Sequence, residues 1–439
     1  HVRSRRQRQM CIRDSRSQNI TGIYGDVNAS QLRVKELIDL AGNQRNPKFT
    51  GLNPWGNESV PCMILNLEKG KQNSYPVTVV KLENKGQNPQ PSDNWADIRG
   101  LVDEQIWQAT PVFADDPLSQ WFIAPPEEIQ DFGKFSLSVL ESEPAYKVIK
   151  GWEPSGAKGI HLLKANIELQ PRKSLMKVIN DSGRAKRPKP QEREGIVESQ
   201  IVYPAISGAD ITVWKLKRVR NYALIPHLPE IPDNQSIVPL DMMENRFPQS
   251  LAWFKLFDGK DEEKKLRDRK LKGHKSLRRN PKLLEQGIVP PYAVDNIHPS
   301  SKGGHTWKEY KVVYNEQGEY GACVISSLTN EVFPDGRMIM PDSKTFFIGI
   351  DDKKEAYYVA GVMNAPFIRR MIHRFTSELT RGSEVHRFLN PPKYNPNDSL
   401  HNNIAELSEK IHELAKEGGN YDLLESKLDK SVRQIYGMD

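Results

Sequence analysis

Residues 309–327 have the sequence EYKVVYNEQGEYGACVISS, in which two runs rich in β-branched and aromatic residues flank a short polar connection. Runs of this composition are typical of β-strands, and Gln317-Gly318-Glu319 is typical of the connection between two antiparallel strands. The stretch therefore predicts a hairpin with strands in Glu309–Glu316 and Tyr320–Ser327. The apolar run TFFIGI at Thr345–Ile350 predicts another strand shortly after the hairpin.

Downstream of these strands, the apolar spacing becomes that of helices. Glu355–Phe375 carries apolar residues three or four positions apart, interrupted at Asn364-Ala365-Pro366, where proline lacks the donor that a continuous helix needs. Two consecutive helices are therefore predicted. Residues 399–439 repeat the helical spacing on both sides of Gly418-Gly419-Asn420, which predicts a C-terminal helical hairpin.

Upstream of the hairpin, short apolar runs alternate with turn-rich segments. Strands are predicted at Val60–Leu67, Tyr75–Leu82, Ser119–Ala124 and Gln200–Ile206. The charged run Asp181–Gly195 predicts an exposed loop, and the spacing after Pro248 predicts a helix from there to about Lys272. Short strands with helices gathered toward the end of the chain indicate an α+β fold.

The composition excludes several classes of protein. The chain has 439 residues, 37% of them hydrophobic and 27% charged, and no run approaches the roughly 18 apolar residues that a membrane span requires. We therefore expect no membrane partner. The three cysteines form no CxxC pair, which excludes a disulfide framework or a cysteine-rich zinc module and indicates a reducing compartment. The cytoplasm is the expected location.

The N-terminal residues differ from the rest of the chain in charge. The first 16 residues carry six arginines against one aspartate, which accounts for most of the formal net charge of +7. They lack the apolar core of a signal peptide, and Gln7–Ser15 resembles translated sequencing-adapter sequence. We expect residues 1–18 to be a non-native or disordered leader, with the natural start of the protein missing.

Motifs for catalysis are incomplete. Amino-group DNA methyltransferases need a polar acceptor, two prolines and an aromatic residue in succession, because the acceptor binds the target amino group and the ring stacks on the base. Val289-Pro290-Pro291-Tyr292 lacks the acceptor, and Asn390-Pro391-Pro392-Lys393-Tyr394 has a lysine before the aromatic residue. Both are better interpreted as rigid turns. We therefore predict no catalytic residue and no metal ligand.

One weak nuclease-like pattern is present. Two carboxylates, Asp335 and Asp351, could hold Mg²⁺ while Lys353 helps to activate water. The alternative interpretation is structural, with Pro334-Asp335 as a turn and the residues around Asp351 as the start of a helix. A metal-dependent DNA nuclease is therefore kept only as an alternative function.

Three groups of basic residues are candidates for contacts with DNA phosphates. One lies in the run Lys264–Lys282, which could instead be a solvated helix end; another shares a face of the helix after Pro366, which could instead be a salt-bridging surface. The third is a group of basic residues that follows Trp214 and precedes Tyr222, and its alternative is a strand edge. The candidates are Lys215, Lys217, Arg218, Arg220, Lys264, Lys265, Arg267, Arg269, Lys270, Arg369, Arg370 and Arg374.

Eight blocks of sequence between residues 145 and 437 follow one another in a recognisable order. They are GAKGIHLLKANIE (Gly156–Glu168), KVINDSG (Lys177–Gly183), VESQIVYPAISGADITVW (Val197–Trp214), PPYAVDNI (Pro290–Ile297), WKEYKVVYNE (Trp307–Glu316), MIMPDSKTFFIGI (Met338–Ile350), EAYYVAGVMNAPFIRRMI (Glu355–Ile372) and SLHNNIAELSEKIHELAKEG (Ser399–Gly418). In this order they resemble the C-terminal target-recognition region of bacterial adenine-specific DNA methyltransferases of restriction–modification systems, including methylase–nuclease fusions.

The resemblance implies a module that recognises a sequence in double-stranded DNA. The full-length enzyme would use S-adenosyl-L-methionine and flip its target base. Its cofactor and catalytic motifs lie upstream of this region and are absent here, so we expect no cofactor to bind this chain, and whether the chain is an enzyme stays open. Tyr203-Pro204, Gly208, Asp210 and Trp214 match the family's strand-and-turn motif, which implies a role in building the domain. Gly208 suits a turn that needs positive φ.

The domain organisation follows from the same resemblance. We expect a β-rich connector, or the end of the methyltransferase domain, over residues 19–144, a β-rich target-recognition domain with helices over 145–398, and a helical hairpin over 399–439. A non-catalytic specificity subunit is the other alternative. It would dock a separate methyltransferase through the apolar positions Ile404, Leu407, Ile411 and Leu414, which could equally pack within the chain.

Overall fold

A computed structural model places the protein's secondary structure and side chains. It describes residues 32–39, 63–69, 74–85, 94–111, 121–139, 144–154, 158–164, 168–169, 174–184, 190–219, 221–231, 237–257, 297, 305–375, 385 and 389–438. These residues fall into two compact units. The first comprises the described parts of 1–143, 366–390 and 433–439, and the second those of 144–365 and 391–432. The predicted domain boundaries stay a prediction.

Strands and helices are interspersed along the chain. The strands are β1 (Leu32–Asp39), β2 (Met63–Lys69), β3 (Val77–Asn84), β4 (Val102–Pro111), β5 (Trp121–Ala124), β6 (Ile149–Lys150), β7 (Leu162–Leu163), β8 (Glu168–Leu169), β9 (Leu175–Ile179), β10 (Glu194–Glu198), β11 (Val202–Ile206), β12 (Ile211–Thr212), β13 (Lys215–Leu216), β14 (Asn221–Leu224), β15 (Tyr310–Asn315), β16 (Ala322–Ile325), β17 (Ser327–Leu328), β18 (Arg337–Met338), β19 (Met340–Pro341) and β20 (Thr345–Ile350). The α-helices are α1 (Trp95–Gly100), α2 (Pro126–Val139), α3 (Lys158–His161), α4 (Leu240–Arg246), α5 (Pro248–Lys255), α6 (Lys353–Asn364), α7 (Pro366–Phe375), α8 (Ser399–Glu417) and α9 (Asp422–Ile435).

The first unit is built on a five-stranded sheet in the order β2-β1-β3-β4-β5. Only β1 and β3 pair in parallel; the other neighbours are antiparallel. Alternate residues such as Val77 and Val79 point into the core, because side chains of a strand alternate between its faces. Helices α2 and α7 lie against β5, and Phe122 of β5 stacks on Phe132 of α2 with ring centroids 3.9 Å apart. The strands predicted at 60–67, 75–82 and 119–124 are confirmed.

The predicted hairpin lies at one side of a sheet in the second unit, in the order β16-β15-β20-β6. Strands β15 and β16 are antiparallel, with Tyr314 opposite Ala322, and β20 confirms the strand predicted at Thr345–Ile350. The side chain of Asn315 fixes the connection: its Nδ2 donates to the carbonyl oxygens of Gln317, at 2.8 Å, and Glu319, at 2.5 Å. Gly318 has φ +82°, a conformation that glycine adopts without a steric penalty.

Two further sheets share a second core in the same unit. Their orders are β19-β11-β14-β7 and β10-β9-β8, and β11 confirms the strand predicted around Gln200–Ile206. The predicted loop at 181–195 is partly wrong, because Glu194 and Gly195 already pair with β9, whereas residues 185–189 lie outside the described residues. Helix α5 begins at Pro248 as predicted and buries Leu251 and Phe254, but the part of the predicted helix beyond residue 257 is also outside the described residues.

The C-terminal helices have the predicted breaks. Helix α6 ends at Asn364 and α7 begins at Pro366. Helix α8 begins after Asp398, whose carboxylate caps it, and ends at Gly418, which has φ +79°, before α9 completes the predicted helical hairpin. Helix α8 packs on α6, where the small residue Gly361 allows close approach to Ile404. Helices combined with mixed and antiparallel sheets confirm the α+β class.

None of the helices in the described ranges combines the length and apolar character needed to cross a membrane.

Candidate nucleic-acid interface

The segment between Trp214 and Tyr222 does not present aromatic faces. Trp214 lies in the turn between β12 and β13 with φ +65° and is 1% exposed. Its Nε1 donates to Glu425 Oε1 at 2.8 Å, and its ring packs edge-on against His412. Tyr222 is also buried, so the idea that these rings contribute to nucleic-acid binding is wrong. The strand-edge interpretation fits Lys215, which lies in β13.

A cleft of about 890 Å³ lies beside this segment, within the second unit. Its walls are the turn Ser207–Ala209, the β12–β13 hairpin with Lys215 and Lys217, the β15–β16 connection, Lys344, and the connection between α8 and α9. Three lysines and one carboxylate, that of Glu319, therefore line it. Within the described part of the chain, the ammonium groups of Lys215 and Lys217 take part in no hydrogen bond or ion pair, so their charges are available to an anion.

The third lysine is held by a buried carboxylate. Glu316 is 6% exposed; its Oε2 accepts from Lys344 Nζ at 3.0 Å and its Oε1 from Lys150 Nζ at 2.6 Å. Burial alone would raise the pKa of Glu316, but the hydrogen bonds and charges of the two lysines lower it below its ordinary value. Glu316 is thus ionised at neutral pH, and the three groups together keep a charge of about +1.

Gly208 supports the cleft in a different way from the one predicted. The Ser207–Asp210 turn is a single 3₁₀ turn in which Asp210 Oδ2 accepts from the Ser207 backbone nitrogen at 2.9 Å. Gly208 does not have positive φ, so that prediction is wrong. A Cβ atom there would lie 2.5 Å from the carbonyl oxygen of Lys344, so the close approach of two backbones requires the glycine.

Other residues of the resemblance motif build the fold. Tyr203 is buried, and its hydroxyl donates to the carbonyl oxygen of His227 at 3.1 Å. Burial raises the pKa of this hydroxyl well above its ordinary value, so it stays protonated as a hydrogen-bond donor. Pro204 faces Tyr222 in the pairing of β11 with β14.

The predicted basic ridge lies in the first unit. Phe367 and Met371 of α7 are buried, Arg369 is half-buried and Arg370 is exposed, as expected for an amphipathic helix. Arg370 and the cleft lysines therefore belong to different units. The remaining candidates, Arg220, Lys264, Lys265, Arg267, Arg269, Lys270 and the side chain of Arg374, lie outside the described residues.

The residues of the nuclease-like pattern have structural roles. Pro334 and Asp335 form the turn between β17 and β18, closed by Gly336 N donating to Phe333 O at 3.1 Å. Asp351 pairs with Lys308, and Lys353 with Glu409 at 2.5 Å. In the described ranges, no group of three or more metal-binding side chains is present.

The turn residues beginning at Asn390 are tied to helices. The hydroxyl of Tyr358 donates to the carbonyl oxygen of Pro392 at 3.1 Å, and the hydroxyl of Tyr394 donates to Asn402 Oδ1 at 2.8 Å. The aromatic ring that a methyltransferase motif would use therefore packs against α8 instead.

The proposed docking positions are largely covered by the chain itself. Ile404 and Ile411 are fully buried, and Leu407 and Leu414 are half-buried. The intramolecular alternative is thus correct for the two isoleucines, which cannot receive a separate methyltransferase.

Comparison with known proteins gives a fold and no family. No protein-family model matches the chain, and no curated protein matches it. Among solved structures, the Type IIL restriction-modification enzyme MmeI in complex with DNA aligns with 98% of this chain at 11% identity and a TM-score of 0.52. The type IIG restriction endonuclease BpuSI aligns with 96% at 7% identity, but its TM-score of 0.25 is too low to support an argument. The chain spans 46% of the length of each. The likeness to MmeI shows a shared fold.

Proposed function

We propose that this chain recognises a specific sequence in double-stranded DNA as the target-recognition portion of an adenine-specific methyltransferase of a restriction–modification system. The observation that carries the proposal is the likeness to MmeI over nearly the whole chain, since MmeI is a restriction-modification enzyme solved in complex with DNA. The ordered sequence blocks between residues 145 and 437 resemble the same class of enzymes. Two independent comparisons, of sequence order and of fold, therefore support one function.

The distribution of charge also supports binding to a polyanion. Lys217, Arg218 and Arg370 are exposed, and two of the lysines that line the cleft have ammonium groups with no partner among the described residues. Lysine and arginine side chains on a protein surface contact DNA phosphates and displace the counterions condensed on the duplex. Such contacts position a protein on DNA, while the sequence is recognised by contacts with base edges.

The cofactor of the full-length enzyme does not fit the cleft. S-adenosyl-L-methionine supplies the methyl group from a sulfonium cation, which is favoured by carboxylates and disfavoured by neighbouring positive charge. The described lining of the cleft has three lysines and one carboxylate, that of Glu319, so its charge disfavours a sulfonium cation. We therefore assign no step of methyl transfer to the described residues of this chain.

Equilibrium binding to duplex DNA at several salt concentrations tests the proposal. A labelled duplex of mixed sequence is titrated with the full chain, and fluorescence anisotropy gives Kd at each concentration. The expected result is a logarithm of the binding constant that falls by about 0.9 per phosphate contacted for each tenfold rise in salt. The variant with Lys215, Lys217 and Arg218 replaced by glutamine should have a shallower slope.

A matched control separates local contacts from total charge. Lys354, Lys427 and Lys430 are exposed and do not line the cleft, so their replacement by glutamine removes the same charge elsewhere. The control should keep a slope close to that of the unmodified chain. Absence of any salt-dependent binding to duplex DNA would contradict the proposed function.

A further inference from the structure

The cleft in the second unit contains a cationic residue that no sequence pattern indicated. Lys344 lies in the short connection between β19 and β20, and its backbone is fixed at two points. Its nitrogen donates to Asp342 Oδ1 at 2.8 Å, and its carbonyl oxygen accepts from Glu316 N at 3.0 Å. The side chain is half exposed and reaches the cleft while its Nζ keeps Glu316 as a partner. Lys344 is thus held in place before any ligand arrives.

The charge around Lys344 is not neutralised by the residues that the structure describes. Glu316 shares its one negative charge between Lys150 and Lys344, and of these two lysines only Lys344 lines the cleft. Lys215 and Lys217 of the β12–β13 hairpin add two further charges to the lining of the cleft. Since Glu319 contributes the only carboxylate among the described lining residues, the cleft favours an anion with more than one negative group.

Lysine side chains and glycine-containing turns together line the cleft. Turns that contain Gly208, Gly318 and Gly418 contribute to its walls, so part of its border carries no side chain. Lysine ammonium groups bind phosphate as point charges and do not require one fixed orientation of the ligand. A phosphodiester backbone offers several such groups in succession.

We infer that Lys344, with Lys215 and Lys217, forms a phosphate-binding wall that holds the backbone of the bound DNA in this cleft. The inference rests on the proposed function and deepens it. Lys344 is a phosphate contact that was not among the predicted residues, and Glu316 is its positioning residue. A mononucleotide carries the same phosphate group, so the experiment includes it as a separate arm.

The first measurement is lysine acetylation with and without ligand, followed by mass spectrometry of each site. With duplex DNA at about ten times Kd, roughly one-eleventh of the protein is free, so Lys215, Lys217 and Lys344 should react about tenfold more slowly. Exposed Lys354 and Lys427 should react at unchanged rates. The inference is overturned if the DNA binds and Lys344 reacts as fast as in the free chain, or if deoxyadenosine monophosphate protects the three lysines and duplex DNA does not.

The second measurement compares Lys344→Gln with Lys150→Gln. Both lysines pair with Glu316 and both side chains are partly exposed, at 50% and 39%, so the two variants lose the same charge from the same cluster. Lys344→Gln should reduce the salt slope by about 0.9, whereas Lys150→Gln, which removes a charge that does not line the cleft, should reduce it by less. If the two variants have equal slopes and still bind DNA, the role of Lys344 is refuted and the proposed function is not. If the unmodified chain does not bind DNA, the proposed function itself is refuted.

Discussion

Replacing Gly208 by alanine tests the close approach of two backbones on which the cleft depends. The new Cβ atom would lie 2.5 Å from the Lys344 carbonyl oxygen and 3.4 Å from Asn315 Cβ. Because a Cβ atom in a folded protein stays at least about 3 Å from such an oxygen, the two segments must separate by roughly 0.5 Å. The obstacle is backbone, which hydrogen bonds of Lys344 hold on both sides, so the clash cannot be relieved by a change of rotamer.

The size of the effect follows from the cost of inserting a methyl group into a packed site. Such insertions destabilise proteins by about 1–3 kcal/mol, and a backbone obstacle favours the upper part of that range. We expect Gly208→Ala to lower the free energy of unfolding by about 2 kcal/mol, which corresponds to a fall in Tm of about 4–8 °C for a unit of this size. Trp152, Trp214 and Trp253 are each 1% exposed and report unfolding of this unit by fluorescence.

The matched control is Gly100→Ala. A Cβ atom at Gly100 would meet no atom within 4 Å, and its φ is not positive. This variant should unfold within about 0.5 kcal/mol of the unmodified chain, as surface substitutions usually do. If Gly208→Ala has the same urea midpoint as Gly100→Ala, the close contact between Gly208 and Lys344 does not constrain the protein, and the reasoning is refuted.

Three further predictions concern stability, its pH dependence and DNA binding. Glu198→Gln should lower the free energy of unfolding, measured by urea denaturation, by about 2 kcal/mol. The buried carboxylate accepts from Gln249 N and Ser250 N at 2.8 Å each, whereas glutamine has only one acceptor oxygen. The control is Glu192→Gln, which removes an exposed ion pair with Lys164 and should lower it by less than about 1 kcal/mol. Burial lowers the pKa of Lys311 from 10.5 to about 7, so the unfolded chain binds more protons between these values and stability rises with pH across that window. Below pH 7, the Lys311→Met variant should therefore be more stable than the unmodified chain. The difference between their urea midpoints should shrink as the pH rises toward 10.5, and a difference that stays constant with pH would contradict the role of Lys311 protonation. Arg370→Gln should reduce the salt slope of DNA binding by about 0.9, and an unchanged slope would remove Arg370 from the interface.

Local features of the fold could be predicted because neighbouring residues determine them. The hairpin depends on Gly318 and its flanking β-branched runs, and the division between α6 and α7 depends on Pro366. The end of α8 depends on Gly418, whose φ of +79° other residues adopt only with strain. In each case the determining residue lies within the element that it shapes.

Features set by distant residues could not be predicted. Trp214 is followed in sequence by several basic residues, which suggested an exposed position. Its indole nitrogen instead donates to Glu425, 211 positions away. Gly208 is needed because the Lys344 backbone lies against it, and no pattern around residue 208 carries that information. The pairing of Glu316 with Lys150 and Lys344 joins three separate segments, so the cationic cleft arises only when the chain folds.

The order of the sequence blocks carries the resemblance to known enzymes, which no single site carries. It indicated restriction–modification enzymes, the class to which MmeI belongs, although the identity with MmeI is only 11%. The candidate DNA contacts were chosen from charge density, and the described ones divide between two units. Their roles stay predictions, as do adenine specificity and the cofactor of the full-length enzyme.

Selection from a pool of random-sequence duplexes tests the central claim most directly. The full chain is incubated with the pool at several salt concentrations, and the bound fraction is sequenced. We predict salt-dependent binding together with enrichment of one short motif, because phosphate contacts provide affinity and base contacts provide specificity. A bound fraction with the same composition as the starting pool, or no bound fraction at all, would contradict sequence-specific recognition by this chain.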